Sequence, residues 1–252
     1  MPALLRLLPH ALTLTNLAAG CVACIALVRG DFALVPWCLL ISAVADFLDG
    51  FAARAAGVSG PFGRELDSLA DMVSFGVSPG LMAWAMLQGG VWTTFEGRFS
   101  DYQYFSPIST EPYAYLALLI PLMSAVRLAR FNISQADTKH FIGLATPAST
   151  VFWFGLFQVW RFDVLGFGQN LSQPQVLLPI IALFSYLLVS DLPLFSNKLD
   201  PRARRNWPVW VVLAAALLLP WVIGWAAAPV AMALYVASGL VWRPEQTAVP
   251  SE

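Results

Sequence analysis

Charge is scarce in this chain. Of its 252 residues only 12% are Asp, Glu, Lys or Arg, about half the share of a soluble domain. Histidine and cysteine are scarcer still, at two and three. His10 and His140 lie far apart in sequence and no suitable cysteine joins either, so a zinc site is unsupported. Cys21 and Cys24 form a C-x-x-C, but without a second pair or a flanking polar residue they read as small apolar packing residues. A formal net charge of −1 gives no electrostatic case for a nucleic-acid partner. A removable signal peptide is not expected, because the first apolar run lacks a small-residue cleavage context and further runs follow it. Neither an internal repeat nor a separate soluble segment is visible, so residues 1–252 read as one integral-membrane domain.

What the chain has in abundance is apolar length. Hydrophobic residues make up 58%, the mean hydropathy is +0.68, and there are ten tryptophans. Runs near the ~20 residues that cross a bilayer recur along the sequence. The expected fold is therefore all-α: a polytopic transmembrane bundle of about eight spans. They fall near 12–28, 33–54, 66–88, 113–130, 146–161, 176–192, 207–225 and 227–242, the last three forming a C-terminal helical region over about 176–242. Pro220 and Pro229 interrupt the last pair, where a buried hairpin is the alternative. The longest polar break is 89–111. With the N-terminus inside, eleven of the fourteen basic residues become cytoplasmic and only Arg29, Arg98 and Arg161 face out. Both termini are then expected in the cytoplasm, with the basic loop KLDPRARR (198–205) near anionic headgroups.

Against this background the stretch DFLDGFAARAAGVSGPFGRELDSLAD (46–71) is anomalous, because it places Asp46, Asp49, Asp67 and Asp71 at the membrane's cytoplasmic edge. Asp46, Asp49, Gly50 and Ala53 share one helix face, as do Asp67 and Asp71. Gly57, Gly60, Pro61 and Gly63 lie between them and predict a tight turn joining two antiparallel helices. Such a turn would bring both carboxylate pairs together, where they cannot all stay ionised without cations. Pairing with Arg54 and Arg64 would leave charge uncompensated. Oxygen ligands select Mg²⁺, Mn²⁺ or Ca²⁺. Small residues at 50 and 53 admit a ligand close to the backbone, and Arg54 can pair with a phosphate, so the set suggests a metal-bound pyrophosphate.

The pattern Asp46-x2-Asp49-Gly50-x2-Ala53-Arg54-x8-Gly63-x3-Asp67-x3-Asp71 matches the signature of the CDP-alcohol phosphotransferases, and on it the chain resembles that family. The resemblance implies a polytopic membrane enzyme that moves a phosphatidyl or similar group from a CDP-linked donor to an alcohol, releasing CMP. It implies that Asp46, Asp49, Asp67 and Asp71 ligate two divalent ions, Mg²⁺ or Mn²⁺, with Asp71 also the general base. Gly50, Ala53, Arg54 and Gly63 would belong to the CDP site. It further implies a homodimer in the cytoplasmic membrane of a bacterium or archaeon, its active site facing the cytoplasm.

The flanks bear on the alcohol. ELDSLADMVSFGVSP (65–79), RLARFN (127–132), FIGLATPAS (141–149) and TLTNLAAG (13–20) are similar to the branch that uses L-serine with CDP-diacylglycerol, the phosphatidylserine synthases. Ala145 stands where that branch leads one to expect proline. The similarity covers about residues 1–150. Arg127 and Arg130, at i and i+3, can hold the serine carboxylate or a donor phosphate, or can be positive-inside anchors. Ser74 and Ser78 are candidates for the acceptor pocket or for interhelical packing. Asn16 can bond cytidine or a neighbouring helix, and Asn132 can cap its own helix. Rival readings are the same chemistry with choline or glycerol 3-phosphate, and a divalent-cation transporter with intramembrane carboxylates.

Overall fold

The computed structural model describes residues 3–57, 60–88, 111–134, 143–191 and 218–241. Among them every regular element is helical. Helix α1 spans Ala3–Arg29 and α2 Val35–Ala56. Helix α3, Pro61–Asp71, runs through a π-helical turn, Met72–Val77, into α4, Ser78–Leu87. A 3₁₀ stretch, Pro112–Leu118, leads into α5, Leu119–Ser134. Then come α6, Thr146–Arg161, the short α7, Gly168–Leu171, and α8, Pro174–Val189. The last described helix, α9, is Ala227–Val241.

Among the described residues, four helical runs are long and apolar enough to cross a membrane: Leu7–Arg29, Val35–Ala55, Pro112–Ile133 and Leu218–Ser238. None has more than 33% of its most apolar stretch buried within the protein. Large side chains such as Trp37, Phe47, Phe51 and Trp221 point outward, a surface that water would not tolerate and lipid does. The described residues thus hold four membrane-length helices, where about eight spans are expected of the whole chain. Of the other helices among the described residues, α6 and α8 have 16 residues each, and α3, the π-helical turn and α4 form one helical run over residues 61–87. The expected break between the last two spans falls at Gly224, whose φ of +54° interrupts the helix ahead of α9. The 89–110 segment, the 135–142 segment with His140, the basic loop 198–205 and residues 207–217 lie outside the described residues.

The core is a helix-on-helix packing of α1, α4, α5, α6 and α8. Its densest part is aromatic. Phe152 stacks on Phe184 at 3.7 Å between ring centres, and Trp153 meets Phe184 edge-on. Phe32, at the α1–α2 turn, packs edge-on against Phe157 and Trp160. The ends of α1, α2 and α3 that carry the aspartates and their partners lie outside this aromatic cluster.

The turn between α2 and α3 behaves as its composition dictates. Gly57 takes the left-handed conformation (φ +62°), and its N–H closes the end of α2 on the Ala53 and Arg54 carbonyls, the usual glycine helix stop. Gly60 is extended and Pro61 opens α3, where a missing N–H costs nothing. The chain reverses within a few residues, and the two aspartate pairs become neighbours.

Candidate active site

Asp46 and Asp49 lie on the last turns of α2, and Asp67 and Asp71 on α3. One oxygen from each of Asp46, Asp49 and Asp67 can be chosen so that all three lie within 4.8 Å of one another. Asp71 stands one helical turn beyond Asp67, outside that set, and interacts with Asp46. Among the described residues no ion pair joins any of the four to Arg54 or Arg64, so arginine does not compensate the cluster as an interfacial salt bridge would. Asp67 Oδ1 is buried and has no hydrogen-bond partner. A buried carboxylate oxygen without a donor is costly, and three convergent acids with only oxygen to offer fit a hard divalent cation. The residues present therefore suit the metal that the signature implies.

Helix α1 supplies the polar lining behind the aspartates. Asn16, fully buried, donates from Nδ2 to Asp71 Oδ1 at 3.2 Å. Thr13 Oγ1 lies 2.6 Å from Asp49 Oδ2. The expected choice for Asn16 between cytidine and a neighbouring helix is met by a helix contact to a signature acid; its Oδ1 is buried and unpartnered.

Two of the candidate acceptor residues make packing contacts. Ser74 is fully buried, and its hydroxyl donates to the Asn16 carbonyl at 3.0 Å, beside Ser42. Ser78 donates to the Val73 carbonyl within its own helix and touches Cys24 Sγ at 3.4 Å. Both belong to the seam between the α3–α4 helix and α1. Small polar side chains serve equally as pocket wall and as helix–helix glue, and here the second use is the one their partners describe.

The two arginines of RLARFN part company. Arg127 turns inward: Nη1 reaches Thr146 Oγ1 at 3.4 Å, Nε is buried without a partner, and the guanidinium interacts electrostatically with Asp71 and Tyr235 of α9. Arg130 is exposed and donates to the Val189 carbonyl at 3.0 Å, satisfying the end of α8. Sharing a helix face does not give them a shared partner. Asn132 does not cap α5; it accepts from Ser68 at 3.1 Å and donates to Glu65 at 3.3 Å, latching α5 to α3.

The small signature residues divide similarly. Gly50 lies under Arg54, whose Nη1 is 3.4 Å from where a Cβ would stand, so the guanidinium can fold over the helix beside Asp49. Ala53 is half-buried on the same face. Gly63 faces His10: a Cβ there would come within 3.3 Å of the imidazole, which also packs edge-on against Phe62. The fold thus brings His10 closer to the site than its sequence position suggests, although the convergent acid group does not include it.

Thr13, Thr146, Tyr235 and the π-turn after Asp71 were not singled out by the sequence. Thr13 carried a faint signal: with Asn16, three residues on, it places two polar side chains on one face of an otherwise apolar helix.

A family model described as CDP-alcohol phosphatidyltransferase matches residues 6–237. The chain is similar to the CDP-diacylglycerol–serine O-phosphatidyltransferase of Helicobacter pylori, at 28% identity over 94% of this chain and 91% of that one. It is similar to the protein of the same description from Methanocaldococcus jannaschii, at 29% over 74% of each chain. A third relative is the archaetidylserine synthase of Methanothermobacter thermautotrophicus, at 27% over 73% of this chain and 68% of that one.

Proposed function

The chain belongs to the CDP-alcohol phosphatidyltransferase family, and on that premise we propose that it transfers the phosphatidyl group of CDP-diacylglycerol to the hydroxyl of L-serine, giving phosphatidylserine and CMP. The carrying observation is the convergence of Asp46, Asp49 and Asp67, with Asp71 one helical turn on, held by Asn16 and in electrostatic reach of Arg127. The names of the relatives above support serine as the acceptor.

Asp46, Asp49, Asp67 and Asp71 are the residues that would hold two divalent ions. Bound there, Mg²⁺ or Mn²⁺ would neutralise the pyrophosphate and the departing phosphate. Arg54, lying over Gly50, is placed to pair with a phosphate of the CDP group. Asp71 takes the proton from the serine hydroxyl, the oxygen forms its bond to the lipid-bearing phosphorus, and the bond from that phosphorus to the CMP oxygen breaks. Asn16 holds Asp71 in orientation for the transfer. Arg127, half-buried with an unpartnered Nε, is the group we assign to the serine carboxylate. A membrane-embedded single domain of about eight spans, both termini and the site facing the cytoplasm, belongs to the same proposal; eleven of fourteen basic residues support that sidedness.

The test is CMP release by purified protein given CDP-diacylglycerol, Mn²⁺ or Mg²⁺, and one alcohol at a time. Release that depends on L-serine and stops with a chelator is expected. Faster release with glycerol 3-phosphate, inositol or choline would replace the acceptor, and release indifferent to any alcohol would end the transferase reading.

A further inference from the structure

Helix α1 carries no signature residue, yet two of its buried side chains touch signature acids on two other helices. Asn16 reaches Asp71 on α3, and Thr13 reaches Asp49 on α2. We propose that Thr13 is a positioning residue that fixes the Asp49 carboxylate for cation binding, an inference that rests on the divalent-cation reading above.

A threonine hydroxyl has one proton to give. Inside a helix it commonly goes to the carbonyl four residues back, and Pro9 offers that carbonyl at 3.0 Å. Asp49 Oδ2 is nearer, at 2.6 Å. A charged acceptor at that length makes the stronger bond. Thr13 and Asp49 are 4% and 6% exposed, so water does not compete for either group. The bond therefore restrains the rotamer of Asp49 and holds its carboxylate where it converges with Asp46 and Asp67. Outer partners of this kind orient metal ligands, and their loss typically lowers metal affinity by ~10–100-fold. Thr13 itself meets no reacting atom. Its effect should fall on metal affinity and leave the turnover rate at saturating metal nearly intact.

The experiment is a Mn²⁺ titration of the full-length protein in detergent, without substrate, following free Mn²⁺ by electron paramagnetic resonance. Thr13→Val is expected to weaken binding by ~10–100-fold, while Thr13→Ser, which keeps the hydroxyl, retains wild-type affinity. In turnover assays the half-saturating metal concentration should rise in step for Thr13→Val, with kcat at saturating metal little changed. Wild-type affinity in folded Thr13→Val overturns the proposal, as does an equal loss in Thr13→Ser. Should Thr13→Val not accumulate as folded protein, Thr13→Ser and Thr13→Cys decide, since the weak thiol donor should lose affinity and the hydroxyl should not. Wild-type protein that binds Mn²⁺ no better than Asp67→Asn overturns the cation reading itself, and this inference with it.

Discussion

Gly20 of α1 and the Ser74 backbone stand so close that a Cβ on Gly20 would sit 2.9 Å from the Ser74 Cα. No real side chain tolerates that approach, so the first helix and the π-turn after Asp71 are in contact because residue 20 is glycine. Gly20→Ala should force α1 away from the aspartates and destabilise the protein by ~1–3 kcal/mol, the usual cost of overpacking. A lowered melting temperature in detergent would be the sign. An unchanged melting temperature with unchanged Mn²⁺ affinity would mean that the helices separate at no cost.

Asp71 and Asn16 should be separable by kinetics. Asp71→Asn removes the proposed base and should lower kcat by ~10²–10⁴-fold while expression persists. Asn16→Ala leaves the base but frees it to rotate, and should give a smaller loss in kcat with the serine KM little altered. Equal losses in the two variants would make Asn16 more than an orienting group. Normal turnover in Asp71→Asn would remove the base assignment.

Arg127 tests the acceptor. A charge-assisted hydrogen bond contributes about 1.5–3 kcal/mol, so Arg127→Gln should raise the KM for serine roughly ten- to hundredfold and the KM for CDP-diacylglycerol much less. Arg127→Lys keeps the charge without the fork and should recover only part of the affinity. If the donor KM rises and the serine KM does not, the guanidinium serves the lipid phosphate. Arg130→Gln, which removes a bond to the Val189 carbonyl, should affect stability more than either KM.

The site was legible in the sequence wherever periodicity alone decides position. Asp46 with Asp49, and Asp67 with Asp71, fall on single faces in any α-helix, and Gly57 and Pro61 mark the turn that makes those faces meet. Helix boundaries followed in the same way: the expected span 146–161 coincides with Thr146–Arg161. What stayed hidden depends on how one helix is rotated against another. Nothing in the local sequence tells that Thr13 meets Asp49, 36 residues away, or that Tyr235 approaches Arg127. Ser74 and Ser78 were ambiguous for a chemical reason, because a buried hydroxyl can serve a substrate or a backbone carbonyl equally well. Arg127 and Arg130 share a helix face by spacing, yet long side chains diverge toward whichever acceptor lies nearest.

The π-turn Met72–Val77 separates two halves of one continuous helix. A wider turn holds an extra residue, and each residue of an α-helix advances the side-chain direction by about 100°. Asp67 and Asp71 thus stand about one residue's rotation away from where a uniform helix continuing into α4, which is buried on nearly every side, would put them. The segment works as a phase coupler, so its vulnerability is to length: losing a single residue between 72 and 77 would swing the acids away from the core that supports them, even if every remaining side chain were kept.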